Sequence, residues 1–167
     1  AYGYTESPML SKKVASGKLP SVDKRLPDSP AILKDPIDSI GNYNDVIYVA
    51  VTSNEPWNTL QEETERGSYL GYVTKDNEII PNLAEKLELA PDYKSLTIHL
   101  RKGTKWSDGH PFTADDILFA YNDFHLNKEV GAGPYWAQAV RRAIKIDDFT
   151  VRLETDQPSP NLLAKMG

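Results

Sequence analysis

The sequence predicts an antiparallel β-sheet with one helix packed against it, and three observations carry that prediction. Leu96, Ile98 and Leu100 alternate with Thr97, His99 and Arg101, the period of a strand with one buried face. Ile144 and Ile146 pair with Val151 and Leu153 around Asp147-Asp148, as in a hairpin. Between these blocks, Ile117, Tyr121 and Phe124 recur at helical spacing across 114–126, so this helix has an apolar face to bury. Half-buried strands, tight turns and one substantial helix make a sheet covered on one side.

The elements follow in order. Residues 1–40 hold five of the twelve prolines and read as an N-terminal extension. One short helix is expected at Pro8–Ser16, with Gly17 as its stop. The rest is expected to be extended chain laid over the surface, serving as a tether. Val46–Thr52 is a continuous β-branched and apolar run, suited to a strand covered on both faces. The polar loop Ser53–Asn58 ends it, and Leu60–Arg66 is expected to be helical. Tyr69–Val73 and Glu78–Ile80 flank a turn at Lys75-Asp76-Asn77. Asn82–Glu85 reads as a short helical turn. Leu87 and Leu89 point one way before the turn Pro91-Asp92-Tyr93-Lys94. Asn161–Lys165 is expected to begin a last helix.

The bulk numbers exclude several classes. The 167 residues, with 40% hydrophobic, suffice for one globular domain with a core. A net charge of −5 and the absence of any basic run longer than two residues argue against a nucleic-acid partner. No apolar stretch is long enough to span a membrane. Ala1-Tyr2-Gly3-Tyr4 has neither the basic nor the apolar region of a signal peptide, so the sequence reads as starting at a processed or engineered end. Zero cysteines exclude disulfides and thiolate metal sites.

The most informative stretch runs from His99 to Asp116. Ser107-Asp108-Gly109 is turn chemistry, and Pro111 disfavours helix just before itself. Thr113 is the expected N-cap, with Asp116 completing a capping box and Phe112 and Ile117 forming a hydrophobic staple. Asp115 and Asp116 sit where a helix dipole favours negative charge. This run, with Ile80–Lys86 before it and Ile117–Tyr121 after it, resembles the signature segment of the family 5 extracellular solute-binding proteins. Ile146–Leu153, followed by Pro158-Ser159-Pro160, resembles the family's next strand pair.

The resemblance implies an α/β, periplasmic-binding-protein-like fold of two lobes. On that reading 1–40 is an extension, 41–64 belongs to the first lobe, and 65–167 is a small β-rich subdomain of that lobe. The second lobe is absent. It also implies a receptor for an ABC importer, periplasmic or extracellular and associated with the cell surface. Its partners would be a solute and a membrane permease. Peptides are the first expectation for the ligand and oligosaccharides the second. The resemblance implies no cofactor and no catalysis.

Trp57, with Glu55 beside it, lies just beyond the best strand, where open α/β sheets bind ligands. Tyr135 and Trp136 follow a Gly-x-Gly-Pro loop and correspond loosely to a family region that places a tyrosine near the ligand. These four residues are the expected substrate contacts. Trp106 is expected to pack under its turn. His99, His110 and His125 lack metal-ligand spacing and fit ordinary strand, loop and helix positions. Asp115-Asp116 is explained by capping rather than by paired catalytic carboxylates. Gly67–Gly71 and Gly131–Gly133 match no nucleophile or dinucleotide motif. A hydrolase and a pure interaction module are the rival readings. A perturbed carboxylate in a pocket would favour the first, and a large apolar patch the second.

Overall fold

The computed structural model describes residues 4–32, 43, 70–73, 78–127, 129–130 and 139–163. Two short helices come first, α1 (Ser11–Ala15) and α2 (Val22–Arg25). Strands β1 (Gly71–Val73) and β2 (Ile79–Pro81) form an antiparallel pair, as expected for that hairpin. Strands β3 (Ala84–Leu89), β4 (Ser95–Leu100), β5 (Val140–Asp147) and β6 (Thr150–Thr155) form an antiparallel sheet in the order β3-β4-β6-β5. Helix α3 (Ala114–Leu118) lies between β4 and β5 in the chain and is continued by a wider, π-type segment, Phe119–His125.

Alternation sets which face is buried. Ile98 stands opposite Leu87 on one side and Val151 on the other, and Leu96 opposite Leu89 and Leu153. Leu96, Ile98, Val151 and Leu153 are fully buried, with Leu100 close behind. Ala114, Ile117 and Tyr121 of the helix join the same core, and the helix packs over β5 and β6. The opposite face is polar. There Glu88 takes Lys86 at 2.6 Å and His99 at 2.7 Å, and Glu154 takes Arg142 at 2.7 Å. The β4 register is therefore as the alternation requires.

Four expectations are corrected. Asn82–Glu85 is not a helical turn: Ala84 pairs with Leu100 and donates to Leu70 O at 3.0 Å, so sheet pairing overrides local propensity. Ile144 and Ile146 do not face Val151 and Leu153. Irregular register between Val140 and Arg142, and again between Lys145 and Asp147, puts Ala143 opposite Leu153 and leaves Ile146 53% exposed; each extra residue turns side chains to the other face. Phe124 is 51% exposed, because the π-type winding, with Leu126 N bonded to Tyr121 O at 2.8 Å, carries it off the apolar stripe. Arg101 lies beyond the strand end and is buried rather than facing outward with Thr97 and His99. Leu162 N bonds to Ser159 O at 3.0 Å, Leu162 is fully buried, and a 3₁₀ turn opens at Leu163; the rest of the helix expected over 161–165 lies outside the described residues.

The N-terminal segment also differs from a simple extended tether. Its first helix is shorter than expected, although Gly17 ends it with φ of +71°. A second helix, α2, follows. Arg25 grips both oxygens of Glu6 at 2.6 and 2.7 Å and donates from Nε to Pro20 O at 2.8 Å. The Tyr4 hydroxyl reaches Pro27 O. These bonds fold the segment back on itself.

Candidate functional site

The site the described residues offer is the loop that carries β4 into α3, together with the N-terminal segment docked on it. The loop begins at Arg101, whose backbone amide donates to Leu83 O at 3.0 Å. Its guanidinium reaches Asn82 O at 3.0 Å, Ala84 O at 3.3 Å and Ser29 O. A buried cation satisfied by carbonyl dipoles costs less than an unpaired one. Arg101 thereby joins the sheet to the N-terminal segment.

The loop then closes on itself. Lys105 and Pro111 form an isolated antiparallel bridge. Inside it, Trp106 N donates to His110 O at 2.8 Å and Gly109 N to Trp106 O at 2.9 Å. The Asp108 carboxylate accepts His110 N at 2.9 Å. Gly109 has φ of +92°, a conformation that favours glycine. Across the loop, Thr104 O accepts Phe112 N at 2.9 Å.

The helix start is tied in three directions. The capping box closes as expected, with the Asp116 carboxylate accepting Thr113 N at 2.7 Å. The same carboxylate accepts the Trp106 indole N–H at 3.1 Å, a bond that spacing alone did not reveal. Ala114 N donates to Asp148 O at 2.9 Å, so the β5–β6 turn caps the helix from below. Lys145 bridges Asp115 and Asp148, each at 2.9 Å, and these partners raise its pKa. Asp115 and Asp116 are thus both engaged in holding the helix.

Trp106 corrects another expectation. It packs edge-on against Phe112 at 5.5 Å, yet it is 51% exposed rather than covered by the turn. Its N–H is occupied, so it presents a fixed aromatic surface. Two depressions share Lys105, Trp106 and Ser107 in their walls. One, of about 370 Å³, is mostly apolar and is walled by Leu70, Leu83, Phe112 and Ile117. The other, of about 680 Å³, runs between the loop and the N-terminal segment and is lined by Leu19, Pro20, Lys24, Arg25, Lys105 and Asp108.

The segment's docking explains Gly103. Its φ is +79°, and a Cβ there would lie 2.9 Å from Asp28 N. Asp28 N donates to Lys102 O at 3.2 Å, and Lys105 Nζ donates to Lys24 O at 2.8 Å. The two stretches approach at backbone distance, which only a residue without a side chain permits.

The expected contacts Glu55, Trp57, Tyr135 and Trp136 lie outside the described residues, as do the run Val46–Thr52, the helix Leu60–Arg66, the turn Lys75-Asp76-Asn77 and the motif Gly131–Gly133. His99 is on β4, His110 in the loop and His125 at the end of the helical segment, where burial lowers its pKa. Burial pushes the Tyr121 hydroxyl up. Among the described residues, no cluster of three or more His, Asp or Glu gathers to hold a metal. Nor is any described helix long and apolar enough to cross a membrane.

The solved structures that superpose on the chain are of one class, the periplasmic-binding-protein-like α/β proteins. Residues 78–167, more than half of the chain, match the middle region of the bacterial extracellular solute-binding proteins, family 5. The chain belongs to that family. It is 36% identical over 171 residues to the periplasmic alpha-galactoside-binding protein of Rhizobium meliloti, covering 89% of this chain and 25% of that one. It is 34% identical over 109 residues to the dipeptide-binding protein of Escherichia coli, covering 53% of this chain and 20% of that one. Among solved structures, an oligopeptide-binding protein OppA superposes with TM-score 0.79 at 32% identity, covering 99% of this chain and 26% of the other. The periplasmic binding protein MelB of Agrobacterium fabrum, in complex with stachyose, superposes with TM-score 0.76 at 30% identity, covering 99% and 28%. The chain therefore spans about a quarter of the length of these relatives. These relatives are named as binding proteins, not as enzymes.

Proposed function

We propose that this chain is part of a receptor that captures a solute outside the cytoplasm and delivers it to an ABC importer in the membrane. The observation that carries this is the family match across residues 78–167. The described loop fits it, since a half-exposed aromatic face beside ammonium groups can hold a partner. On this reading the protein is not an enzyme and acts in the periplasm or at the cell surface. Residues 1–40 are an extension, 41–64 part of the first lobe and 65–167 its small subdomain, with the second lobe outside the chain. Glu55, Trp57, Tyr135 and Trp136 are its proposed ligand contacts.

Both peptide and oligosaccharide ligands fit the relatives. Sequence likeness extends further with a sugar binder. Among solved structures the oligopeptide-binding protein OppA superposes at TM-score 0.79 against 0.76 for the stachyose-bound protein, both over 99% of the chain. Peptides therefore stay the first reading and oligosaccharides the second. The alpha-galactoside-binding relative matches along 89% of the chain, whereas the dipeptide-binding relative matches along 53%. Stachyose, bound in one structural neighbour, is itself an α-galactoside. Aromatic residues with polar tips suit either class.

Isothermal titration of the complete protein and of this 167-residue chain, against stachyose and a peptide pool, tests the proposal. Binding is expected from the complete protein and lost or much weakened in the chain alone, because pockets bury most of a ligand's surface. Comparable dissociation constants for both would refute the two-lobe reading. Trp57→Ala or Tyr135→Ala in the complete protein should weaken binding more than about threefold, on the order of 0.6 kcal/mol.

A further inference from the structure

The N-terminal segment and the sheet are held in place by different means. No residue from 4 to 32 is buried, and neither α1 nor α2 contributes a residue to the core. Strand β4 by itself buries Leu96, Ile98 and Leu100. Burial of apolar surface is the dominant favourable term in folding, and regions that bury little of it open at the lowest free energies. The segment lacks the term that holds the sheet shut.

Its own ties are polar, and they fall into two sets. The first set lies within the segment. Arg25 grips both oxygens of Glu6 at 2.6 and 2.7 Å and donates to Pro20 O at 2.8 Å, and the Tyr4 hydroxyl reaches Pro27 O. These bonds fasten the start of the segment to its end. The second set crosses to the β4–α3 loop. Among the described residues it consists of Asp28 N on Lys102 O at 3.2 Å, Lys105 Nζ on Lys24 O at 2.8 Å, and Arg101 Nη1 on Ser29 O.

The crossing bonds are ones that can part. Only Nη1 of Arg101 reaches Ser29; Nε stays on Asn82 O at 3.0 Å and Nη2 on Ala84 O at 3.3 Å. If Ser29 leaves, water takes the place of one acceptor and the guanidinium keeps two. No buried charge is stranded, which is what makes most such separations costly. Lys105 gives up one bond from an exposed ammonium. Part of the junction is open space, the depression of about 680 Å³ that Leu19, Pro20 and Lys24 line from the segment and Lys105, Trp106 and Asp108 from the loop.

We infer that residues 4–32 form a strap that opens from the β4–α3 loop as one unit while the sheet stays folded. Arg101 and Lys105 are its latch, and Gly103 sets the closed position, with Asp28 N 2.9 Å from where its Cβ would lie. Opening takes away the segment's share of the lining, so the larger depression belongs to the closed state. The strap is defined by the segment and the loop alone and does not rest on the receptor reading.

Native-state hydrogen exchange on the 167-residue chain, followed by NMR at rising sub-denaturing urea, tests this. The reporters are the bonded amides of Val14 and Leu26 within the segment, Asp28 at the crossing and Leu100 in the sheet. Helices of five and four residues do not persist alone in water, so undocking exposes their amides. Val14, Leu26 and Asp28 are expected to share one opening free energy, lower than that of Leu100 and with a smaller urea slope. Lys105→Met removes a crossing bond, and Glu6→Gln weakens a tie inside the segment. Each should speed exchange at Val14, Leu26 and Asp28 together by about three- to tenfold, the worth of one hydrogen bond. Ile98→Val weakens only the sheet. It should speed Leu100 about fivefold and leave the three segment amides unchanged, because the open state keeps the sheet. The proposal is overturned if Ile98→Val speeds the segment amides as much as Leu100, which would mean that they open only with the whole chain. It is equally overturned if Lys105→Met speeds Asp28 but not Val14 and Leu26, or if Glu6→Gln leaves Asp28 unchanged, since the segment would then not move as a unit. Retained protection at Leu100 shows that each variant is folded.

Discussion

Replacing Ile98 by alanine tests the core directly. Ile98 is fully buried in the middle of β4, between Leu87 of β3 and Val151 of β6. The substitution removes three carbon groups, which at about 0.8 kcal/mol each gives a transfer loss of roughly 2.4 kcal/mol. A cavity adds to this: three such groups leave on the order of 80 Å³, worth up to about 2 kcal/mol at ~24 cal/mol per Å³ if nothing relaxes. Strands on both sides of β4 restrict relaxation, so a loss of about 3–4 kcal/mol is expected. Urea titration followed by circular dichroism gives the measurement, with Ile98→Val as the graded control at about 1 kcal/mol. Ile146→Ala, at a site 53% exposed, should change stability by less than about 0.5 kcal/mol. A loss under ~1 kcal/mol for Ile98→Ala, or equal losses at Ile98 and Ile146, would refute the assigned register.

Three further outcomes follow from the loop and the outer sheet face. Asp116→Ala should destabilise more than Thr113→Ala, by denaturant midpoint, because Asp116 accepts both Thr113 N and the Trp106 indole, whereas alanine at 113 keeps the stronger half of the box; about 1 kcal/mol is expected for Thr113→Ala. Equal losses would remove Trp106 from that bond. Gly103→Ala should cost more than Gly109→Ala: both have positive φ, with a strain of about 1–2 kcal/mol, but only at Gly103 does the new Cβ meet Asp28. Faster amide exchange at Asp28 in Gly103→Ala would locate the damage, and an unchanged rate would count against the docking. Lys86 and then His99 hold the Glu88 carboxyl below its ordinary value. The folded pKa is the lower one, so the stabilisation is present above the unfolded value and is lost as pH falls through the folded one. The difference in melting temperature between wild type and Glu88→Gln should therefore shrink on acidification from pH 6 to pH 3, and a constant difference would refute the pairing.

What was legible in the sequence was what neighbours along the chain decide. The alternation of Leu96, Ile98 and Leu100 assigned a face, and the Thr113–Asp116 spacing assigned a helix start. Both rest on local period and local hydrogen bonds. The misses share a different cause. Ideal periods bury Ile146 and Phe124, and a register irregularity and a π-type turn break those periods. Residue type alone covers Trp106, and strand phase alone turns Arg101 outward. Their places are set by groups far along the chain, Asn82, Ala84 and Ser29 for Arg101, and by the Asp116 carboxylate, 10 residues on, for Trp106. The proposed contacts Glu55, Trp57, Tyr135 and Trp136 fall outside the described residues and stand on the sequence argument.

The N-terminal segment shows why burial of the backbone matters more than sequence position. A proline-rich run at a chain end reads as a tether because few of its residues are apolar. Here its contacts are mostly polar and aimed at main-chain atoms: Ser29 O takes Arg101, Asp28 N gives to Lys102, and Lys24 O takes Lys105. Such contacts leave no hydrophobic period to detect. Their complement in the loop is Gly103, whose missing side chain is the space that Asp28 fills. A glycine three residues past a strand end reads as turn chemistry, and it is that; its second role is visible only when the partner segment is in place. The loop that hands β4 to α3 therefore takes its shape from three parts of the chain at once: the capping box below, the β5–β6 turn beside it, and the N-terminal segment above.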